Sequence, residues 1–151
     1  MLLTKSRLKQ IIKEELAVLE PTEEDSPTST TEVVFTTLDG DVAVQAELVT
    51  TDEKIAQGLM FRKKPLGDNK GMLFDFHEEG DRAFYMKNTF IPLDMIFINN
   101  DKEIVGIVEK AQPLSLETRG VNAAARYVLE MDGGWTKRHN IEIGQTVHIL
   151  S

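Results

Sequence analysis

"EVVFTTLDGDVAVQAELV", residues 32–49, decides how the chain is read. Two apolar, strand-like runs flank Asp39-Gly40, and Asp-Gly between such runs is a strong signal for a tight β-hairpin. Thr50 with Glu53 then fits a capping box, and Gly58 fits the end of a short helix. Further β-like runs follow: "GMLFDF", "AFYMKN", "LDMIFIN", "KEIVGIVEKA", "RYVLEM" and "TVHIL". Gly, Asn, Asp and Pro separate them, and Asn99-Asn100-Asp101 reads as a tight turn. Seven or eight short strands with one or two small helices predict a mainly β domain over 32–151. The expected form is a compact antiparallel sandwich or squat barrel.

Upstream the composition changes. In residues 1–19, Leu8, Ile12, Leu16 and Leu19 recur at spacings of three and four, the pattern of an amphipathic helix. Its charges oppose the helix dipole, with Lys5, Arg7 and Lys9 early and Glu14 and Glu15 late. Such a helix is marginal alone and needs a surface to dock on. Residues 20–31, "EPTEEDSPTSTT", hold two prolines, four acids and no large apolar residue, and read as a disordered acidic linker.

The chain has 151 residues, 41% of them hydrophobic, which suits one ordinary domain. Its formal net charge of −8 opposes a general nucleic-acid role, because phosphate contacts need a concentrated basic face. A small basic pocket for an anion stays compatible with that charge. With no cysteine, disulfides, zinc-thiolate sites and cysteine nucleophiles are excluded. No apolar run reaches the length of a membrane span, and the N-terminus lacks a signal-peptide core, so the chain as written reads as cytoplasmic.

No nucleophile elbow, Walker loop or dinucleotide glycine fingerprint is present. His77, His139 and His148 have no metal-site spacing, so neither a metal nor a cofactor is expected. The informative segment is "FYMKNTFIPLDMIFI", residues 84–98, which places Lys87, Asn88 and Asp94 inside an apolar run. As a strand from Phe84 to Asn88 it would set Phe84, Met86 and Asn88 on one face. Ile91 before Pro92 bends the chain, so Lys87, Asn88, Thr89 and Asp94 cluster around one bend. Two readings fit. In one, Asn88 and Thr89 satisfy the backbone and Lys87 pairs with Asp94. In the other, they line a pocket mouth walled by Phe84 and Met86. Arg62 and Glu130 pose the same choice. Met60, Met72 and Met86 favour core packing over a thioether copper site.

These segments resemble the domain-of-unknown-function 192 family. The resemblance rests on "GLMFRKKPL" (58–66), "KGMLFDF" (70–76), "FYMKNTFIPLDMIFI" (84–98), "YVLEMDGG" (127–134) and "IEIGQTVHI" (141–149), in that order. It implies a compact, mostly β domain and carries no assigned activity. The family usually has tryptophan where this chain has Tyr85, and its members are commonly exported. The N-terminal segment, by contrast, is similar to short leaders of tailed-phage proteins, which adds virion association to the expectations.

The reading that follows is a non-enzymatic small-ligand-binding or accessory domain with a polar, anion-tolerant pocket. Arg62 and Lys87 would supply positive charge, and Asn88 and Thr89 would orient a small anionic or polar ligand. Asp94 and Glu130 would hold the cations, and Met60, Met72, Phe84 and Met86 would form the apolar wall. Residues 1–19 would dock on a protein partner. One rival is a hydrolase or lyase acting on a sugar or cell-wall fragment, with Asp94 and Glu130 as acid and base. Another is a structural or assembly protein addressed by its N-terminal segment.

Overall fold

The structure, a computed structural model, describes residues 29–150. The Asp39-Gly40 hairpin forms as expected. Strands β1 (Thr30–Thr37) and β2 (Gly40–Val49) pair antiparallel from Thr37 opposite Gly40 to Thr30 opposite Glu47. Gly40 takes φ 113°, a conformation that favours glycine at the turn. Helix α1 (Asp52–Gln57) follows, but its cap is Thr51 rather than Thr50. The Thr51 hydroxyl accepts from the Lys54 amide at 3.4 Å, so a lysine holds the third helical position and no capping box forms. Gly58 ends the helix as expected, its amide donating to the Lys54 carbonyl at 2.9 Å.

The chain next enters β3 (Lys70–Gly80), which runs parallel to β2. This corrects the expectation of an antiparallel sandwich or barrel. The remaining strands are β4 (Ala83–Phe84), β5 (Leu93–Ile98), β6 (Ile104–Ala111), β7 (Arg119–Gly120), β8 (Ala125–Asp132) and β9 (Val147–Leu150). A short helix α2 (Trp135–Arg138) lies between the last two. Seven strands form one mixed sheet in the order β6-β5-β8-β3-β2-β1-β9, and β4 pairs with β7 in a separate ribbon. The reason for the parallel pair is the connection 50–69. It includes α1 and is long enough to return the chain to the start of the neighbouring strand, which no tight turn can do. The two outer strands approach at a Glu103–Thr146 bridge, where Val147 donates to the Lys102 carbonyl at 2.8 Å, but the sheet does not close into a barrel.

Both faces of the sheet are covered. On β3, Met72 and Phe74 join one core with Phe84, Met86, Met95 and Phe97, while Leu73 joins the other with Phe35, Ile96, Leu129 and Trp135. Burial on both sides explains why "LDMIFI" is apolar almost throughout: all six residues of β5 are buried. Trp135 anchors α2, packing on Phe35 at 5.5 Å between ring centroids and donating to Asn69 Oδ1 at 3.0 Å. Gly71 marks a close approach of β3 to β8, since a Cβ there would lie 2.7 Å from the Glu130 carbonyl oxygen.

The expected helix of residues 1–19 and most of the linker lie outside the described residues; Thr30 and Thr31, assigned above to the linker, already belong to β1. Among the described residues, no helix is long and apolar enough to cross a membrane.

Candidate functional site

Asp94 and Glu130 are both fully buried, with no exposed surface. They stand on adjacent strands one register step apart: Asp94 is opposite Met131, and Met95 is opposite Glu130. Directly opposed residues share a face and successive residues alternate. Asp94 therefore faces the Leu73–Trp135 core, and Glu130 faces the Met72–Phe84 core. Two carboxyls that share no face cannot flank one scissile bond, so the geometry gives the acid–base pairing no site.

Asp94 serves the backbone. It accepts from the Lys110 amide at 2.9 Å, the Gly134 amide at 3.0 Å, the Thr136 amide at 2.9 Å and the Thr136 hydroxyl at 2.7 Å. These bonds tie β5 to β6 and hold the Gly133-Gly134 turn that leads into α2. Among the described residues its donors are these amides and this hydroxyl, and Lys87 is not one of them. The expected Lys87–Asp94 pair is thus replaced by backbone donors brought in by β6 and the turn.

Glu130 lies in a cross-strand row on the other face: Thr30, Glu47, Met72, Glu130, Met95 and Val108, one residue from each of six adjacent strands. Met72 and Met95 flank it directly. Burial pushes its carboxyl above the ordinary carboxylate range, because an apolar surround disfavours the charged form. Arg62 does not turn to Glu130. Its guanidinium meets both oxygens of Glu47, at 2.7 and 3.0 Å. Glu47 stands two strands from Glu130, about 10 Å at the usual strand spacing.

Above this face, three loops are laced together. The strand expected over 84–88 stops at Phe84, and Lys87 and Asn88 form a turn, with Asn88 at φ 54°. The Phe61 amide donates to the Asn88 carbonyl at 2.7 Å, and the Leu114 amide to the Thr89 carbonyl at 3.1 Å. The Met86 amide donates to Ser115 at 2.9 Å, and Thr89 closes the turn through its amide to Met86 and its hydroxyl to Lys87. Phe61 (φ 68°) and Leu114 (φ 65°) are held in left-handed conformations that bulky residues rarely adopt. Phe61, Phe90, Leu114 and Leu116, on or beside these loops, are 40%, 42%, 56% and 67% exposed, so they form an apolar rim. Beneath it, Met60, Met72, Phe84 and Met86 are buried together, which agrees with core packing of the methionines. Phe84 makes edge contacts with Phe74 and Phe97 at 5.9 and 6.0 Å.

The structure thus brings Arg62 and Lys87 onto neighbouring loops joined through Asn88, while Thr89 is fully buried and bonds the Leu114 loop instead of opening to the surface. Glu130 lies in the face below, and Asp94 is set apart. Sequence reading missed Glu47, the rim residues Phe61 and Leu114, and Asp132. Asp132 accepts from the Leu66 and Gly67 amides at 2.9 and 3.0 Å and pins the loop that follows Arg62. Its position beside Gly133-Gly134 could have marked it as a loop anchor; no local signal announces the left-handed Phe61 and Leu114. Among the described residues, no three His, Asp or Glu side chains gather as a metal site.

This is a mixed-sheet β domain with a buried carboxyl under a strained, apolar loop rim. The chain belongs to the domain-of-unknown-function 192 family, described as uncharacterised ACR, whose pattern matches residues 34–149. A Sinorhizobium meliloti 1021 protein, described as a candidate transcription regulator, is 34% identical, with a TM-score of 0.77 over 81% of this chain and 95% of that one. A protein of unknown function from Novosphingobium aromaticivorans DSM 12444 is 32% identical, with a TM-score of 0.78 over 89% of this chain and 96% of that one. No curated protein matches the chain.

Proposed function

We propose that the domain is a non-enzymatic binding module whose ligand, a small apolar molecule with an anionic or polar group, seats on the rim over the Lys87-Asn88 turn. One observation carries this reading: non-glycine residues at positive φ on three separate loops, Phe61, Asn88 and Leu114, meet where apolar side chains stand exposed. Left-handed Phe and Leu cost conformational energy that loop packing must offset, and such strain concentrates at sites of function. Lys87 would meet the anionic group, Asn88 would orient it, Thr89, fully buried, would hold the turn that carries both, and Arg62, steadied by Glu47, would border the mouth. Residues 1–19 complete the proposal as a docking segment for a protein partner. The regulator description of the Sinorhizobium meliloti relative is not extended to this chain, whose net charge of −8 opposes broad contact with DNA.

A single substitution separates this role from the fold. Phe61→Gly deletes the rim side chain while suiting the left-handed backbone, so stability should hold or rise. The probe is 8-anilinonaphthalene-1-sulfonate, an apolar body with one anionic group. The wild-type protein should bind it with saturable fluorescence enhancement, and both Phe61→Gly and Lys87→Gln should weaken it at least several-fold. Equal enhancement in all three proteins, or none in the wild type, would sink the reading.

A further inference from the structure

Apart from the rim, the end of β8 and the edge strand β6 enclose an open concavity of about 260 Å³, lined by Lys110, Gly133, Gly134, Lys137 and Arg138. Three of its five residues are cations, in a chain whose net charge is −8. All three are exposed, and among the described residues none of them makes an ion pair. They also converge. Gly134 sits at φ 90°, and a Cβ built on it would lie 3.2 Å from Arg138 Nη1 and 3.4 Å from Lys110 Cε. Two cationic side chains therefore approach one glycine that leaves the space between them open.

The turn's own amides do not account for this. Gly134 and Thr136 donate inward to Asp94, as does the Lys110 amide, so these donors are already committed. Asp94 places one negative charge beneath the concavity. The charged residues that line the concavity are all cations, and their exposed side chains present that charge outward. A compact oxyanion suits such an arrangement, since it offers several acceptors to lysine and arginine donors together. We propose that Lys110, Lys137 and Arg138 form a second site, for a small phosphate- or sulfate-bearing anion, with Gly134 keeping its centre clear. The concavity is far smaller than a nucleic-acid footprint, and the acidic remainder of the surface disfavours a polyanion.

The test is a titration of the full-length protein with inorganic phosphate, at ionic strength held constant with sodium chloride, followed through amide resonances of Gly133, Gly134, Lys137 and Arg138. Saturable shifts confined to these positions are expected, together with at least tenfold weaker binding in Lys110→Gln/Arg138→Gln. That variant removes two exposed charges without an ion-pair partner among the described residues, so its melting temperature in chloride should match the wild type and show that it is folded. Linear shifts spread over the surface, or unchanged binding by the variant, would overturn the site. So would binding of a random duplex DNA at physiological salt with higher affinity than phosphate, which would make the cations part of a nucleic-acid surface instead.

Discussion

Asp94 and Glu130 invite comparison because they stand side by side on β5 and β8, equally buried, and behave differently. Asp94 is surrounded by donors: three amides and a hydroxyl converge on its two oxygens. Glu130 is flanked across the sheet by two methionines, and burial raises its pKa. One step of register separates a structural carboxylate from one whose charge the fold disfavours. A buried acid in a sequence is therefore no sign of a site until its face and its donors are known.

The largest expected effect tests the Asp94 half of this contrast. Asp94→Ala leaves the Gly134, Thr136 and Lys110 amides without their acceptor and should destabilise by on the order of 3 kcal/mol or more, read from urea unfolding. A loss below about 1 kcal/mol would break the comparison, because Asp94 would then not be organising the turn.

Glu130→Gln should act in the opposite direction and depend on pH. Below the ordinary value of 4.5 the wild-type carboxyl is protonated both folded and unfolded, and the substitution should change little. As pH rises past that value the unfolded chain ionises freely while the folded protein resists, so wild-type stability falls until the raised folded pKa is passed. The glutamine variant lacks this loss. Its melting temperature should exceed the wild type's by several degrees at pH 7 and match it at pH 4. A variant less stable than wild type at pH 7 would mean that the charged form of Glu130 is the one the fold favours.

A smaller effect separates Lys87 from Asp94. A buried pair would make Lys87→Met cost about 3 kcal/mol, with relief on adding Asp94→Asn. Since Asp94 takes its bonds elsewhere, we expect adding Asp94→Asn to Lys87→Met to bring no rescue. Rescue in denaturation measurements would restore the pair. The smallest effect concerns the N-terminal segment. Removing residues 1–28 should leave thermal unfolding unchanged at matched concentration. A drop of several degrees would show that the segment belongs to the fold.

Sequence by itself determined the local elements. Asp39-Gly40 declared the hairpin, Gly58 the end of α1, Asn99-Asn100-Asp101 the turn after β5, and "YVLEM" the core of β8, because turn chemistry and apolar runs act over a few residues. It also singled out Lys87, Asn88, Thr89, Arg62 and Glu130 as polar groups in apolar company. Only the tertiary structure decided which of them meet. The parallel β2–β3 pair depends on a long crossover whose path no local pattern states. The faces of Asp94 and Glu130 depend on register between strands far apart in the chain, where a one-residue shift would exchange them. The rim exists because loops at 61, 88 and 114 are bonded to one another, and the strain of Phe61 and Leu114 is imposed by those contacts rather than by the residues themselves.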